Sequence, residues 1–569
     1  MKFDQFRPTA HFIAPHSWSN DPCGAVYIPE TKEYLFCYQW NPGTTEGGNS
    51  AWGMARSKDL VTWEDCSPAI QNGASYDSHG VFSGSIVSRL IDGKRTLYLF
   101  YTSVSALPIH WSKHYIEGCE TQSVAFSTDF GRSWQRYENN PLIRVPPKLS
   151  LTTGWRDPFV SPWKSLSKLL GIDPLTDYMM VSSGERGRGP QLHLYRSSNL
   201  LEWKPLSTIL DVEFNAKITA TTGLNLAMNF ECSSFFTLNQ KDYLIVGLEE
   251  DSRSSRHNGH VNMWLGGTLE LENGVPKFNI SNHGILDNGV LYAAHIFYDA
   301  EGRLLQLGWA DETAQRDVVT EQGWAGCLTH PRELYQVLKP ITASARCESI
   351  WDIDEKRGIM TTLGVRPASQ LRDLKPNKSF TALSKFKEMQ GKHFEIEATF
   401  KHLSGNEKLS FNVRESSDSV EVTKITFDKG CVTVDRTYSS AQKLGASSPN
   451  SGALHLLLGE DLHVQIWVDG SVVEVFANGR CAITSRIYPS LDTSTGASYD
   501  FGDFNEENVQ FECWEGLKNA WPGRQLDQSL RKGMGDVALK MKCEDVEQLR
   551  HGLGGDAMCL TTSKQGQEV

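Results

Sequence analysis

ARSKDLVTWE, Ala55 to Glu64, reads as a strand, a polar turn and a returning strand led by tryptophan. The pattern returns in AFSTDFGRSWQ, Ala125 to Gln135, and in YRSSNLLEWK, Tyr195 to Lys204. The leading residues, Trp63, Trp134 and Trp203, stand about 70 residues apart, room for one four-stranded blade with generous loops. Trp264 and Trp309 are weaker markers of further blades. About five blades then fit before residue 345, so the fold class is read as all-β, with a five-bladed β-propeller over 1–345.

The runs between these turns agree. KEYLFCYQW (Lys32 to Trp40), RTLYLFYTSV (Arg95 to Val104) and YLIVGL (Tyr243 to Leu248) are short and β-rich, and Gly, Asn, Asp and Pro clusters separate them. From Ser344 the texture becomes charged and partly helical, so 346–378 is expected to be a linker. Alternating strands resume at 379, including FEIEATF (Phe394 to Phe400), and HVQIWVDGSVVEVFANG (His463 to Gly479) carries Asp469-Gly470 between two of them, a hairpin signal. Residues 379–523 are read as a β-sandwich and 524–569 as a polar, weakly helical extension of unassigned role.

Composition narrows the function classes. With 569 residues and 39% hydrophobic content the chain can bury a large core, and its formal charge of −12 argues against nucleic acid or an anionic membrane as partner. No run of about 18 apolar residues occurs, and MKFDQFRPTAHF lacks the apolar stretch of a signal peptide, so a cytoplasmic location is expected. The 12 cysteines form no CxxC pairs and are expected to be mostly free thiols. No HxH or HExxH pattern calls for a metal, and no cofactor is expected. A homo-oligomer is left open, with the sandwich or the extension as contact surface.

In a propeller the innermost strands meet around a central funnel, so reactive groups should come from separate blades. HSWSNDPCGAVY (His16 to Tyr27) offers Asp21, TGWRDPFV (Thr153 to Val160) offers Asp157, and MNFECSSFF (Met228 to Phe236) offers Glu231. Alone, Asp21 is as well explained by a turn, and Asp157 beside Arg156 by a structural ion pair. Glu231 is more demanding, because a lone carboxylate in an apolar strand must be paired or neutral, and a raised pKa is expected there. His110, beside Trp111, is read as a satisfied histidine before an acceptor contact.

In this order, NDPCG with its preceding Trp18, Arg156-Asp157-Pro158 and Glu231-Cys232 resemble the β-fructofuranosidases of glycoside hydrolase family 32. YQWNP (Tyr38 to Pro42), WGMARSKDLVTW (Trp52 to Trp63), FSGS (Phe82 to Ser85), DNGVLYA (Asp287 to Ala293), GWAGCLTHPREL (Gly323 to Leu334) and LKNAWPGR near Arg524 extend the resemblance. TSVSALPIHW (Thr102 to Trp111) followed by ETQS (Glu120 to Ser123), and Cys23 in place of a more usual Asn, look most like fungal sucrose-acting members, including fructosyltransferases.

The resemblance implies a retaining double displacement on sucrose and short fructooligosaccharides, with a fructosyltransferase making kestose-type products as the alternative and a noncatalytic sugar-binding propeller as the more remote one. It makes Asp21 the nucleophile, Glu231 the acid/base and Asp157 the transition-state stabiliser. Asn20, Gln39, Trp52, Phe82, Ser83, Arg156, Asp287 and Trp309 are its implied substrate contacts, each with a structural role nearly as plausible. A sialidase, suggested by SxDxGxxW at Ser127 to Trp134, is set aside because that motif marks a blade turn.

Overall fold

The computed structural model describes residues 2–213, 226–249, 260–343 and 348–524; the extension expected beyond Arg524 lies outside them. Among the described residues the strands form seven sheets, five of which succeed one another as blades. Blade I comprises Ser17–Ile28, Glu33–Asn41, Ala51–Ser57 and Trp63–Ile70. Blade II comprises Gly80–Ile91, Lys94–Val104, Glu120–Ser127 and Gln135–Arg136, and blade III Thr152–Pro162, Asp177–Glu185, Gly189–Ser197 and Lys204–Asp211. Asn229–Leu238, Lys241–Glu249, His260–Glu272 and Val275–Ile285 form blade IV. Blade V runs through Leu291–Tyr298, Leu304–Ala310, Arg332–Pro340 and Ile359–Pro367, with Asp352–Asp354 on its edge.

The first strands of the blades pack against one another in cyclic order and enclose the funnel. Trp324–Ala325 closes the ring by pairing in parallel with Ser17 and Trp18 of blade I. The expected boundary at 345 is corrected here: blade V is finished by strands at 352–354 and 359–367, inside the stretch read as a linker. The charges there misled the reading, because an outer strand with one wet face tolerates Asp352, Asp354 and Arg366.

The near-continuous apolar strands follow from burial on both faces. Leu97, Leu99 and Tyr101 pack with Trp52 and Ile86 on the side of blade I, whereas Tyr98 and Phe100 between them pack with Trp155, Val160 and Met179 of blade III. The repeated turns are three copies of one hydrogen-bonded device. Ser57, Ser127 and Ser197 accept the amides of Leu60, Gly131 and Leu200 through Oγ at 2.7, 2.8 and 2.9 Å. Asp59, Asp129 and Asn199 accept two further amides each through their side-chain oxygens. Trp264 and Trp309 do not mark this turn; they lie in the third strand of blade IV and the second of blade V.

The other two sheets are the sandwich. Cys481–Arg486, Val472–Ala477, Leu462–Asp469, His393–Phe400 and Val509–Glu515 face Asn450–Ala453, Cys431–Asp435, Thr423–Asp428, Lys408–Glu415 and Gly496–Asp500. Phe394, Ile396, Phe411, Ile425, Val464 and Ile466 are buried between them. The Asp469-Gly470 hairpin forms as expected, with Asp469 opposite Val472 and Gly470 at φ +62°, a left-handed conformation that suits glycine. Polar groups bind the two domains: Asp469 accepts the amides of Thr9, Ala10 and His11, and buried Arg332 is paired with Asp287 and Glu474, both at 2.7 Å.

Candidate active site

The inner strand of every blade breaks register. The irregularities fall around Asp21 in blade I, at Ser83 in blade II, at Asp157 in blade III, at Cys232 in blade IV and at Ala293 in blade V. Asp157, Cys232 and Ala293 have φ of 62°, 45° and 51°, strained values for non-glycine residues. A bulge puts two residues opposite one and re-aims a side chain, so these distortions gather the carboxylates from three blades.

Asp21 Oδ2 accepts a 2.7 Å hydrogen bond from Ser83 Oγ, and its Oδ1 accepts one at 3.0 Å from Asn20 Nδ2. The Cys232 thiol lies 3.5 Å from Asp21 Oδ2 and 3.6 Å from Asp157 Oδ2, which also accepts the Cys232 amide at 2.9 Å. One thiol thus touches both aspartates. Burial pushes the Asp21 carboxyl above its usual range despite its hydrogen bonds, and it pushes Asp157 to about 7 against the field of Arg156.

Glu231 is held differently. Arg156 Nε and Nη2 donate to its Oε1 at 3.0 and 2.8 Å, and the Tyr292 hydroxyl donates to Oε2 at 2.7 Å. Burial works to raise its pKa, but the guanidinium and the hydroxyl outweigh it and the net shift is downward. The raised pKa expected at Glu231 is therefore corrected. The raised value belongs to Glu249, which shares Arg156 and is pushed up to about 8 by burial and the Glu231 charge.

The family model for the N-terminal domain of glycosyl hydrolases family 32 matches residues 11–340, and that for the family's C-terminal domain matches 364–515. The chain belongs to glycoside hydrolase family 32. The Aspergillus kawachii β-fructofuranosidase structure with glycerol is 28% identical, with a TM-score of 0.80 over 92% of this chain and 96% of that one. The fructosyltransferase of A. japonicus is 25% identical, with a TM-score of 0.77 over 92% and 97%. A levanase of Bacillus subtilis is 28% identical over 85% of this chain and 67% of its own length.

The other residues proposed for this family-32 site divide into groups. Asn20 and Ser83 orient Asp21, and Trp18 and Trp309 pack edge to face at 5.7 Å, with the Trp18 indole donating to Asn20 Oδ1 at 2.9 Å. Phe82 is half-buried at the bulge of blade II. Trp52 is corrected: it is fully buried, its indole N–H bonded to the Phe82 carbonyl at 3.0 Å, so it backs the site without an open face. Gln39, 2% exposed and donating to the Val81 carbonyl, also supports from behind. Arg156, read among the sugar contacts, spends its donors on Glu120, Glu231 and Glu249, and its charge acts to lower the pKa of both Asp157 and Glu231.

Asp287 is corrected most fully. Its carboxylate receives Arg332 Nη1 at 2.7 Å, Thr484 Oγ1 at 2.8 Å and the Thr484 and Gly289 amides, which places it in the contact between propeller and sandwich. The reading of the sequence missed Glu120, Glu249, Tyr292 and His260 as members of the site. Glu249 directly follows the quoted YLIVGL strand, and no motif singled it out. Tyr292 lies within the quoted DNGVLYA, and His260 stacks on its ring at 4.4 Å. His110 Nε2 stands 3.5 Å from Glu249 Oε1, so the PIHW loop reaches the site edge.

Proposed function

We propose that the protein is a retaining β-fructofuranosidase acting on sucrose and short fructooligosaccharides through a fructosyl-enzyme intermediate. The observation that carries this is the contrast between its two key carboxyls. Asp21 has only neutral donors, Ser83, Asn20 and the Cys232 thiol, and no guanidinium to quench its nucleophilicity. It attacks the anomeric C2 of the fructosyl unit. Glu231, aimed by Arg156 and Tyr292, gives a proton to the departing glycosidic oxygen, then takes one from water in the second step. Asp157 binds fructosyl hydroxyls more tightly as positive charge develops on the ring.

A second reading, transfer of the fructosyl unit to another sugar, is favoured by the His110 loop beside Glu249 and by the likeness to a fructosyltransferase. One time course with concentrated sucrose tests both. Equal glucose and fructose is the expected hydrolytic result, whereas glucose in excess with kestose-type trisaccharide indicates transfer. Absence of any release from sucrose or fructans overturns both.

A further inference from the structure

Arg156 is 5% exposed and serves three carboxyl groups at once. Nη1 donates to Glu120 Oε1 at 2.7 Å, Nε and Nη2 to Glu231 Oε1 at 3.0 and 2.8 Å, and Nη2 also to Glu249 Oε2 at 3.0 Å. Glu120 is completely buried and its second oxygen takes the Trp155 amide at 2.8 Å. Glu231 and Glu249 then compete for what remains of one positive charge. Two carboxyls bonded to the same Nη2 raise each other's pKa, and the Glu231 charge adds to burial in pushing Glu249 up, so the pair favours keeping a proton.

The hydrogen bonds decide where it rests. Glu231 accepts two guanidinium N–H bonds and the Tyr292 hydroxyl, all of which favour its anion. Glu249 has one guanidinium N–H, the Asn229 amide at 3.3 Å and His110 Nε2 at 3.5 Å. The other titratable groups facing the pair do not supply a cation. Burial lowers the pKa of His110 and of His260, and it keeps the Tyr292 phenol and the Cys232 thiol protonated. Asp21 and Asp157 are carboxyls and supply no cation either.

Building on the proposed function, we propose that Glu249 is a positioning residue that stores the proton used by Glu231. Both groups accept from Arg156 Nη2, and Glu249 holds the proton in the free enzyme. When substrate arrives, the Glu249 carboxylic acid gives one proton to the Glu231 carboxylate through a substrate hydroxyl or a water between them. Glu231 then passes that proton to the leaving oxygen as the bond from Asp21 to C2 forms and the glycosidic bond breaks. Water or the acceptor returns a proton to the pair in the second displacement. The raised value of about 8 at Glu249 and the lowered one at Glu231 agree with this order.

The test compares wild type with Glu249→Gln and Glu249→Asp in the pH dependence of kcat/KM for sucrose. Removing the Glu249 charge weakens the hold of Glu231 on a proton, so in Glu249→Gln the alkaline limb moves toward acid by about one pH unit or more, and Glu249→Asp largely restores it. An unmoved limb with only KM raised overturns the proposal and leaves Glu249 a sugar contact. An infrared titration of the free enzymes covers an inactive variant: Glu395, also pushed up to about 8, contributes alike to both proteins, so the carboxylic-acid signal lost near pH 8 is smaller by one group in Glu249→Gln than in wild type. An undiminished signal in that variant overturns the proposal. This second readout needs no substrate, so failure of wild type to cleave sucrose defeats the proposed function separately.

Discussion

Asp21, Asp157 and Glu231 are ordinary residues in extraordinary surroundings, and their variants report on those surroundings. Asp21→Ala and Glu231→Ala are expected to lose sucrose turnover by several orders of magnitude with an unchanged circular dichroism spectrum. Wild-type rates in either would remove its assignment. Asp157→Asn keeps the shape and can still accept the Cys232 amide, so it should lower kcat far more than it raises KM. It should also stabilise the fold. A carboxyl with pKa about 7 when folded and 3.8 when unfolded binds more protons folded, so its contribution becomes unfavourable as pH rises from about 4 to about 7. The variant escapes that penalty. Its thermal midpoint should exceed that of wild type by a few degrees at pH 8 and by less at pH 5, as scanning calorimetry would read.

At the scale of the element, two kinds of strand irregularity have opposite legibility. The blade turns are written locally: a Ser Oγ and an Asp or Asn side-chain oxygen bond to amides two to four residues away, so the pattern is visible in any stretch of ten residues. Ser127→Ala should cost about 1 kcal/mol by removing the bond to the Gly131 amide, lowering the melting temperature with kcat unchanged, since the turn joins the third and fourth strands, away from the funnel. A fall in kcat would show that the turn reaches the site. The funnel bulges carry no such signature. Cys232 and Ala293 adopt positive φ although nothing in their residue type asks for it, Asp157 does so as only a minority of aspartates do, and packing between neighbouring blades holds them there. The outer edge of blade V was misread as linker for a related reason: Asp352–Asp354 is a strand because Ile359–Pro367 lies beside it.

For the molecule as a whole, a buried charge network joins the two domains. His11 gives Nδ1 to Asp469 Oδ2 at 2.7 Å, has Glu474 at 3.6 Å from Nε2, and stacks on His330 at 3.7 Å. Burial opposes its charge, yet Asp469 and Glu474 hold its pKa at about 9, while burial pushes His330 down to about 3. Because the folded value is raised, this stabilisation is complete below about pH 6.5 and is lost as pH climbs through about 9, with a size of roughly 3 kcal/mol. Wild type should lose thermal stability across that window, and His11→Asn should be less stable at pH 6 with a flatter profile. Equal slopes in the two proteins would mean that His11 is not the group that titrates.

What the sequence determined by itself is whatever short-range chemistry encodes: the repeated turn, the two-sided apolar strands that count the blades, the Asp469-Gly470 hairpin, and three carboxylates on separate blades. The tertiary structure alone decided the ownership of charge. Arg156 stands next to Asp157 in the chain yet spends its donors on Glu120, Glu231 and Glu249, and Asp287, expected at the sugar, binds Arg332 and Thr484 at the domain contact. The reason is range. Backbone pairing and turn bonds are settled within a few residues, whereas the ionisation of a buried group depends on every charge the fold brings within several ångströms, whatever its distance along the chain.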